Sequence, residues 1–306
     1  MTESQDFSSF QLDPRILDAI KAMGYVSPTP IQAKAIPLVL AGRDVMGAAQ
    51  TGTGKTAGYG LPMLQRILPK ANTSASPARH PVRALILAPT RELADQVNEN
   101  LVAYAAKTGL RVGVVYGGVD IRPQSDMLRR GIEVLTATPG RLLDHIEQKA
   151  VNLSQVEIVV LDEADRMLDM GFYDDIMQIV KYLPKERQTI MFSATMPAKI
   201  QQLANTILNN PAEVKLAVSR PAEKIVQAAY VCYENQKLGI IRSLFAEQTP
   251  ERVIIFASSK LKVKEVTKAL KMMKLNVGEM HSDLEQAQRE EVMHEFKAGR
   301  VNILVA

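Results

Sequence analysis

What most constrains this chain is a series of short apolar runs that do not alternate with polar residues. Residues 44–48, 83–88, 112–116, 132–136, 157–161 and 189–192 are mostly rich in Val, Ile and Leu. A strand with one wet face alternates; a strand covered by helices on both faces does not. Helix-like segments separate the runs, and strands alternating with helices read as an α/β parallel sheet. The pattern restarts after Pro211, with strands expected at 228–232, 252–256, 276–280 and 302–305 and helices at 238–245, 261–273 and 286–296. A chain of 306 residues suits two such units better than one core. The expected division is 1–210, a linker at 211–222 marked by Pro211 and Pro221, and 223–306. The second unit stops on a strand, which predicts an incomplete sheet with an unpaired position beside the strand ending at Ala306. Residues 69–81, with Ser, Asn and Pro, read as a surface loop.

Composition narrows the setting. The single cysteine, Cys232, forbids an intrachain disulfide and points to a reducing compartment. The first ten residues have neither the basic start nor the apolar run of a signal peptide. No stretch approaches the roughly 20 apolar residues of a membrane span. A cytoplasmic protein is expected. The net charge of +4 is too small for a broad electrostatic footprint, so any nucleic-acid surface must be built locally from a few residues. Aromatic residues make up 5% of the chain and tryptophan is absent, so base-stacking platforms are sparse.

Residues 49–56 read AQTGTGKT, between an apolar strand and a helix expected to start near Thr56. That is the context of a phosphate-binding P-loop. In the stretch Thr51, Gly52, Thr53, Gly54, the glycines let successive N–H groups face a phosphate, and the helix N-terminus adds its positive dipole end. Lys55 supplies a charge for the outer phosphates, and the Thr56 hydroxyl can ligate Mg²⁺. Ala49 stands where the general pattern has Gly, and the bland alternative is a glycine-rich turn with no ligand. A second signal comes from residues 158–161, four apolar residues that run directly into Asp162 and Glu163. Two acids at the end of a buried strand pack poorly unless they serve a site. Asp162 would hold Mg²⁺, and Glu163 would orient an attacking water and accept its proton. A solvated acidic loop is the alternative.

Asp162-Glu163-Ala164-Asp165 also resembles the tetrad of the DEAD-box helicases of superfamily 2. Other motifs of that family follow in serial order. Pro28-Thr29-Pro30-Ile31-Gln32 resembles the Q motif, with Tyr25 ahead of it and Phe7 further upstream. Then come the P-loop, Pro89-Thr90-Arg91-Glu92-Leu93-Ala94, Gly117-Gly118, Thr138-Pro139-Gly140-Arg141, the tetrad, and Ser193-Ala194-Thr195. The resemblance implies tandem RecA-like domains with parallel sheets, the second incomplete, and ATP with Mg²⁺ as cofactors. It implies that Gln32 selects adenine, since an amide can donate to N7 and accept from the N6 amine. Tyr25 and Phe7 would pack around the base, with ordinary core the alternative for both; Phe10 is assigned to the core. Pro89, Thr90, Arg91, Gly118, Thr138, Pro139, Gly140 and Arg141 would face the RNA backbone without regard to sequence. Read alone, each of these is also an ordinary turn residue. Ser193 and Thr195 would link Asp165 to closure of the two domains. The segment Val115-Tyr116-Gly117-Gly118-Val119 is similar to bacterial RhlE-type members.

In the second unit, Ile254-Ile255-Phe256 and Gln286-Ala287-Gln288-Arg289 resemble further family motifs, with Ser282 where the family commonly has Gly. His281 reads as structural. The resemblance also implies a Thr-Asp pair continuing from Ala306, and later arginines that reach the γ-phosphate. An arginine finger is worth about 10³–10⁵ in rate, so these 306 residues alone are expected to bind Mg-ATP but turn it over slowly. The activity expected of the parent is ATP-dependent separation of short RNA duplexes. Two other readings stay open: a nucleotide-gated RNA clamp that does not unwind, and a DNA-acting superfamily 2 translocase.

Overall fold

A computed structural model describes residues 6–49, 52–215, 226–247 and 251–306. The chain forms two compact units, residues 1–220 and 221–306. In the first, the elements run α1 (Pro14–Ala22), α2 (Pro30–Leu40), β1 (Val45–Ala48), α3 (Lys55–Ile67), β2 (Ala84–Leu87), α4 (Arg91–Ala105), β3 (Val112–Val115) and α5 (Ile121–Arg129). They continue with β4 (Val134–Ala137), α6 (Pro139–Glu147), β5 (Ile158–Leu161), α7 (Ala164–Asp169), α8 (Tyr173–Lys181), β6 (Gln188–Ser193), α9 (Ala198–Ile207) and β7 (Ala212–Lys215). The seven strands make one sheet in the order β3-β4-β2-β5-β6-β1-β7, and every pairing is parallel.

The unalternating runs have the expected cause. Along β5, Ile158 and Val160 enter one apolar core while Val159 and Leu161 enter another. Helices α1 to α4 supply the first core with residues such as Ile16, Ile31, Leu64 and Leu101. Helices α6 to α9 close the other face with Leu142, Met167, Ile176 and Leu203. Helix starts follow local chemistry: Thr90 Oγ1 accepts from Leu93 N at 3.3 Å to cap α4, and Pro30 and Pro139 open α2 and α6, where a missing N–H costs nothing. The loop at 69–81 is pinned rather than loose. His80 Nδ1 bonds Glu133 Oε1, and its Nε2 lies 2.7 Å from the Ser74 carbonyl.

The expected linker needs correction at its start. Residues 212–215 form β7, which pairs with β1 at the sheet edge. Asp44 holds this corner: its carboxylate accepts from Thr189 N at 2.8 Å and from Asn209 N at 2.7 Å. Residues 216–225 lie outside the described part of the chain.

The second unit contains α10 (Lys237–Glu247), β8 (Val253–Ile255), α11 (Lys260–Met272), β9 (Val277–Glu279), α12 (Gln286–Lys297) and β10 (Ile303–Val305). Its parallel sheet has the order β8-β10-β9. Two expectations are overturned. Residues 228–232 form no strand; this stretch is mostly exposed and has no ladder partner among the described residues. The strand ending at Ala306 is not the open one: β10 is paired on both sides, with β8 and with β9. The edges are β8 and β9. Among the described residues, no helix is long and apolar enough to cross a membrane.

Candidate active site

The site is built at the carboxyl ends of the first sheet's strands, where open α/β sheets place ligands. The loop after β1 leads into α3. Gly52 and Gly54 both sit at positive φ, +80° and +85°, and Gly54 is the residue that caps α3. A side chain at Gly54 would also strike the Gln32 amide. Thr51 lies outside the described residues. The residues around Gln32 clamp this loop from the side: Thr29 Oγ1 donates to the Thr53 carbonyl at 2.9 Å, and Gln32 Nε2 donates to the Gly54 carbonyl at 3.0 Å. Gln32 Oε1 accepts from Thr29 N at 2.9 Å. Its amide is thus bonded at both ends, and the adenine role expected of it requires trading these bonds for the base.

Lys55 opens α3 and is buried. The acids arrive from β5, two strands away from β1 with β6 between them. Neighbouring strands lie about 4.8 Å apart, so β1 and β5 are about 10 Å apart and only side chains can close that gap. They do: Lys55 Nζ is 3.4 Å from Asp162 Oδ1. Both atoms are buried, and neither makes a hydrogen bond among the described residues. Such a pair is electrostatically satisfied but geometrically open, which suits a phosphate and a cation that complete it. The other oxygen, Asp162 Oδ2, accepts from the Tyr59 hydroxyl at 2.9 Å. Burial first, and the adjacent carboxylate second, push the Tyr59 phenol well above its usual range, so it is the donor.

Glu163 caps α7 at φ +53°, a left-handed conformation that costs a non-glycine residue of order 1 kcal/mol. It is buried, with Oε2 3.4 Å from Arg166 Nη1. Asp165 is held from β6. Its Oδ2 accepts from both the backbone N and the Oγ1 of Thr195, each at 2.9 Å. Ser193 Oγ donates to the Thr195 carbonyl at 2.6 Å and accepts from Asp165 N at 3.3 Å. Burial alone would raise the Asp165 carboxyl, but the Thr195 and Ser193 bonds outweigh it and hold it below the ordinary carboxylate value. The Ser193 and Thr195 turn is thereby bonded directly to the acidic loop.

Of the oxygen donors expected to hold Mg²⁺, the Asp162 carboxylate is bonded to the Tyr59 phenol, and the Thr56 hydroxyl stands on the first turn of α3, three residues before Tyr59. Two hard oxygens beside a phosphate loop fit Mg²⁺, which keeps most of its waters and takes its remaining ligands from phosphates. Asp162 Oδ1, buried and unbonded, is the atom the cation would use directly or through water.

The aromatic expectations divide. Phe7 is buried, stacked on Tyr25 at 6.1 Å and edge-on to Phe10 at 6.2 Å, so it serves as core rather than as an open platform. Phe10 is core, as expected. Tyr25 is partly exposed, and its hydroxyl lies 2.9 Å from that of Tyr104 on α4.

The residues expected to face RNA cluster on the other half of the same sheet edge. Pro89, Thr90 and Arg91 follow β2, Gly118 follows β3 at φ +82°, and Thr138, Pro139, Gly140 and Arg141 follow β4. With the order β3-β4-β2-β5-β6-β1, these loops are contiguous, and the acidic loop after β5 and the glycine loop after β1 lie on the adjoining strands. Arg91 lies 5.1 Å above the Tyr116 ring. Arg141 Nη2 donates to the Val119 carbonyl at 3.0 Å, linking the start of α6 to the loop after β3, and its Nε lies 3.3 Å from Asp144 one turn along the same helix. Its Nη1 is buried without a hydrogen-bond partner among the described residues. Sequence reasoning missed Tyr59, although its spacing of four from Lys55 puts both on one face of α3.

A family model described as DEAD/DEAH box helicase matches residues 29–203, and one described as Helicase conserved C-terminal domain matches 236–306. The chain is 43% identical over 301 residues to the ATP-dependent RNA helicase CshA of Listeria monocytogenes, covering 98% of this chain and 56% of that protein. It is 40% identical to the DEAD-box ATP-dependent RNA helicase CshA of Bacillus subtilis, covering 98% and 59%. The chain therefore spans under two thirds of the length of these relatives. Among solved structures it is similar to S. cerevisiae Dbp5 bound to RNA and ADP BeF3, with 30% identity and a TM-score of 0.84 over 98% of this chain and 75% of that one. It is also similar to a DEAD box protein from Methanococcus jannaschii, with 33% identity and a TM-score of 0.63 over 98% and 79%.

Proposed function

The chain belongs to the DEAD/DEAH box helicase family, and from that premise we propose that it is the nucleotide-driven core of a bacterial ATP-dependent RNA helicase. The observation that carries the proposal is the buried approach of Lys55 to Asp162 at 3.4 Å, with one unbonded polar atom on each. In this reading the Gly52–Gly54 loop and the N-terminus of α3 bind the triphosphate through backbone N–H groups. Lys55 turns from Asp162 to the outer phosphates. Thr56 and Asp162 hold Mg²⁺, which when bound neutralises developing charge on the transferred phosphoryl group. Glu163, poised at the strained turn after β5, orients the attacking water and takes its proton. Gln32 gives its amide to the adenine edge, and the release of Gly54 reports base occupancy to the phosphate loop.

RNA lies across the loops after β2, β3 and β4, with backbone N–H groups, the Thr90 and Thr138 hydroxyls and Arg91 as its partners. The bonds from Thr195 and Ser193 to Asp165 connect the acidic loop to its neighbour strand, so a change at the nucleotide is felt at β6. Cooperative binding of ATP and RNA follows if both favour one closed state. The relatives' names support a helicase of the CshA kind and give no support to an RhlE-type placement.

The test is ATP turnover and strand displacement by the full-length protein, with RNA and DNA compared. Turnover stimulated by RNA and not DNA, with duplex separation, is expected. Stimulation by DNA would overturn the RNA assignment, and RNA binding with turnover but no strand separation would reduce the protein to a clamp.

A further inference from the structure

The function proposed above leaves the buried phenol of Tyr59 without a role. It stands on α3 four residues after Lys55, fully enclosed, with its ring against Phe192 of β6 at 5.9 Å. Its hydroxyl donates to Asp162 Oδ2 at 2.9 Å. Tyr59 is therefore bonded to the acid expected at the cation, and it stands one turn along α3 from Thr56. A carboxylate on its own rotates broadly about its last torsion. Bonding one oxygen fixes its plane and decides which oxygen is left. Here Oδ2 is taken, and Oδ1 is left facing Lys55 with no hydrogen bond among the described residues.

We propose that Tyr59 is a positioning residue for the divalent cation: it anchors Asp162 by Oδ2, so that Oδ1 stays presented to the metal of Mg-ATP. Without the hydroxyl, the Asp162 carboxylate is free to turn both oxygens toward Lys55. A tighter Lys55–Asp162 pair competes with the cation for the acid and with the phosphates for the ammonium. Groups that orient metal ligands in this way typically change metal affinity by about 10–100-fold when removed. The inference rests on the nucleotide reading of the site, and the experiment separates the two.

The full chain is titrated with a fluorescent ATP analogue in excess Mg²⁺ and again in EDTA, and the ratio of affinities is the metal-dependent gain. For Tyr59→Phe, affinity in EDTA is expected within about twofold of wild type and the gain lower by about tenfold. In an Asp162→Asn background, adding Tyr59→Phe is expected to change the gain by less than about twofold, because the phenol acts through that carboxylate. Phe192→Leu, which loosens the same packing without touching the acid, is expected to lower the melting temperature and leave the gain unchanged. Phe keeps the ring at position 59; should thermal unfolding show the single variant unfolded, the comparison within the Asp162→Asn background, where no carboxylate is left without its bond, decides. An unchanged gain in Tyr59→Phe overturns the proposal. So does an equal fall with and without Mg²⁺, or a full further loss in the Asp162→Asn background. A wild-type chain that binds no nucleotide overturns the functional reading itself; a wild type that binds beside a silent Tyr59→Phe overturns only the positioning role.

Discussion

Replacing Lys55 by Met probes the pocket at its most charged point. Lys55 and Asp162 are 6% and 2% exposed, and their charged atoms lie 3.4 Å apart. Removing one member of a buried pair costs about 3–5 kcal/mol, because the remaining charge is stranded. Asp162 keeps its bond from Tyr59, so the lower end applies, about 3 kcal/mol. In a domain of this size each kcal/mol moves the unfolding midpoint by about 2–4 °C, so nucleotide-free Lys55→Met should melt about 6–12 °C below wild type. Adding Asp162→Asn removes the stranded charge and should recover at least about half of the loss. The ligand response gives a second arm. Mg-ATP at about 100 times its dissociation constant stabilises wild type by about 2.7 kcal/mol, and the same concentration should leave Lys55→Met unmoved. Differential scanning calorimetry with and without a non-hydrolysable ATP analogue reads both arms. A Lys55→Met chain as stable as wild type, and destabilised further by Asp162→Asn, would show that the two charges are not paired and refute the reasoning.

Glu163→Gln should keep nucleotide affinity within about twofold and lower turnover by at least about 100-fold, read by filter binding and phosphate release. Gln32→Ala should lose discrimination of ATP from GTP. Because its amide also bonds Gly54 and Thr29, it should lose about 1–2 kcal/mol of stability as well, read by urea unfolding. The Asp165 carboxyl is held below its ordinary value, so its contribution to stability is full above about pH 4 and is lost as pH falls through the lowered folded-state value. Thr195→Val should therefore cost about 1 kcal/mol at pH 7, and the gap to wild type should shrink below about pH 4.

The first sheet was legible because its strands are buried twice over. Ile158 to Leu161 cannot alternate when successive side chains enter two different cores. The edge strand β7 escaped for the opposite reason: Ala212–Lys215 carries Glu213 and Lys215, has no apolar run, and follows a proline that reads as linker. The central place of β10 escaped because strand order is a property of pairing across the sheet, and no local pattern carries it. At the candidate site, the glycine loop before α3 and the acids at the end of β5 were legible because glycines before Lys55 and acids after an apolar run are locally improbable. The commitments of Gln32 and Arg141 were not. Each bonds a backbone carbonyl distant in sequence, and residue type does not reveal which partner a donor takes before a ligand arrives.

Replacing Mg²⁺ by Mn²⁺ turns the claim that the loop and the acids share one nucleotide into a spectroscopic reading. Electron–nuclear double resonance on the chain with Mn²⁺ and a non-hydrolysable ATP analogue should show phosphorus coupling to the metal, and Asp162→Asn should weaken or abolish the bound signal. Bound Mn²⁺ without phosphorus coupling, or a coupled signal that Asp162→Asn leaves untouched, would contradict the account.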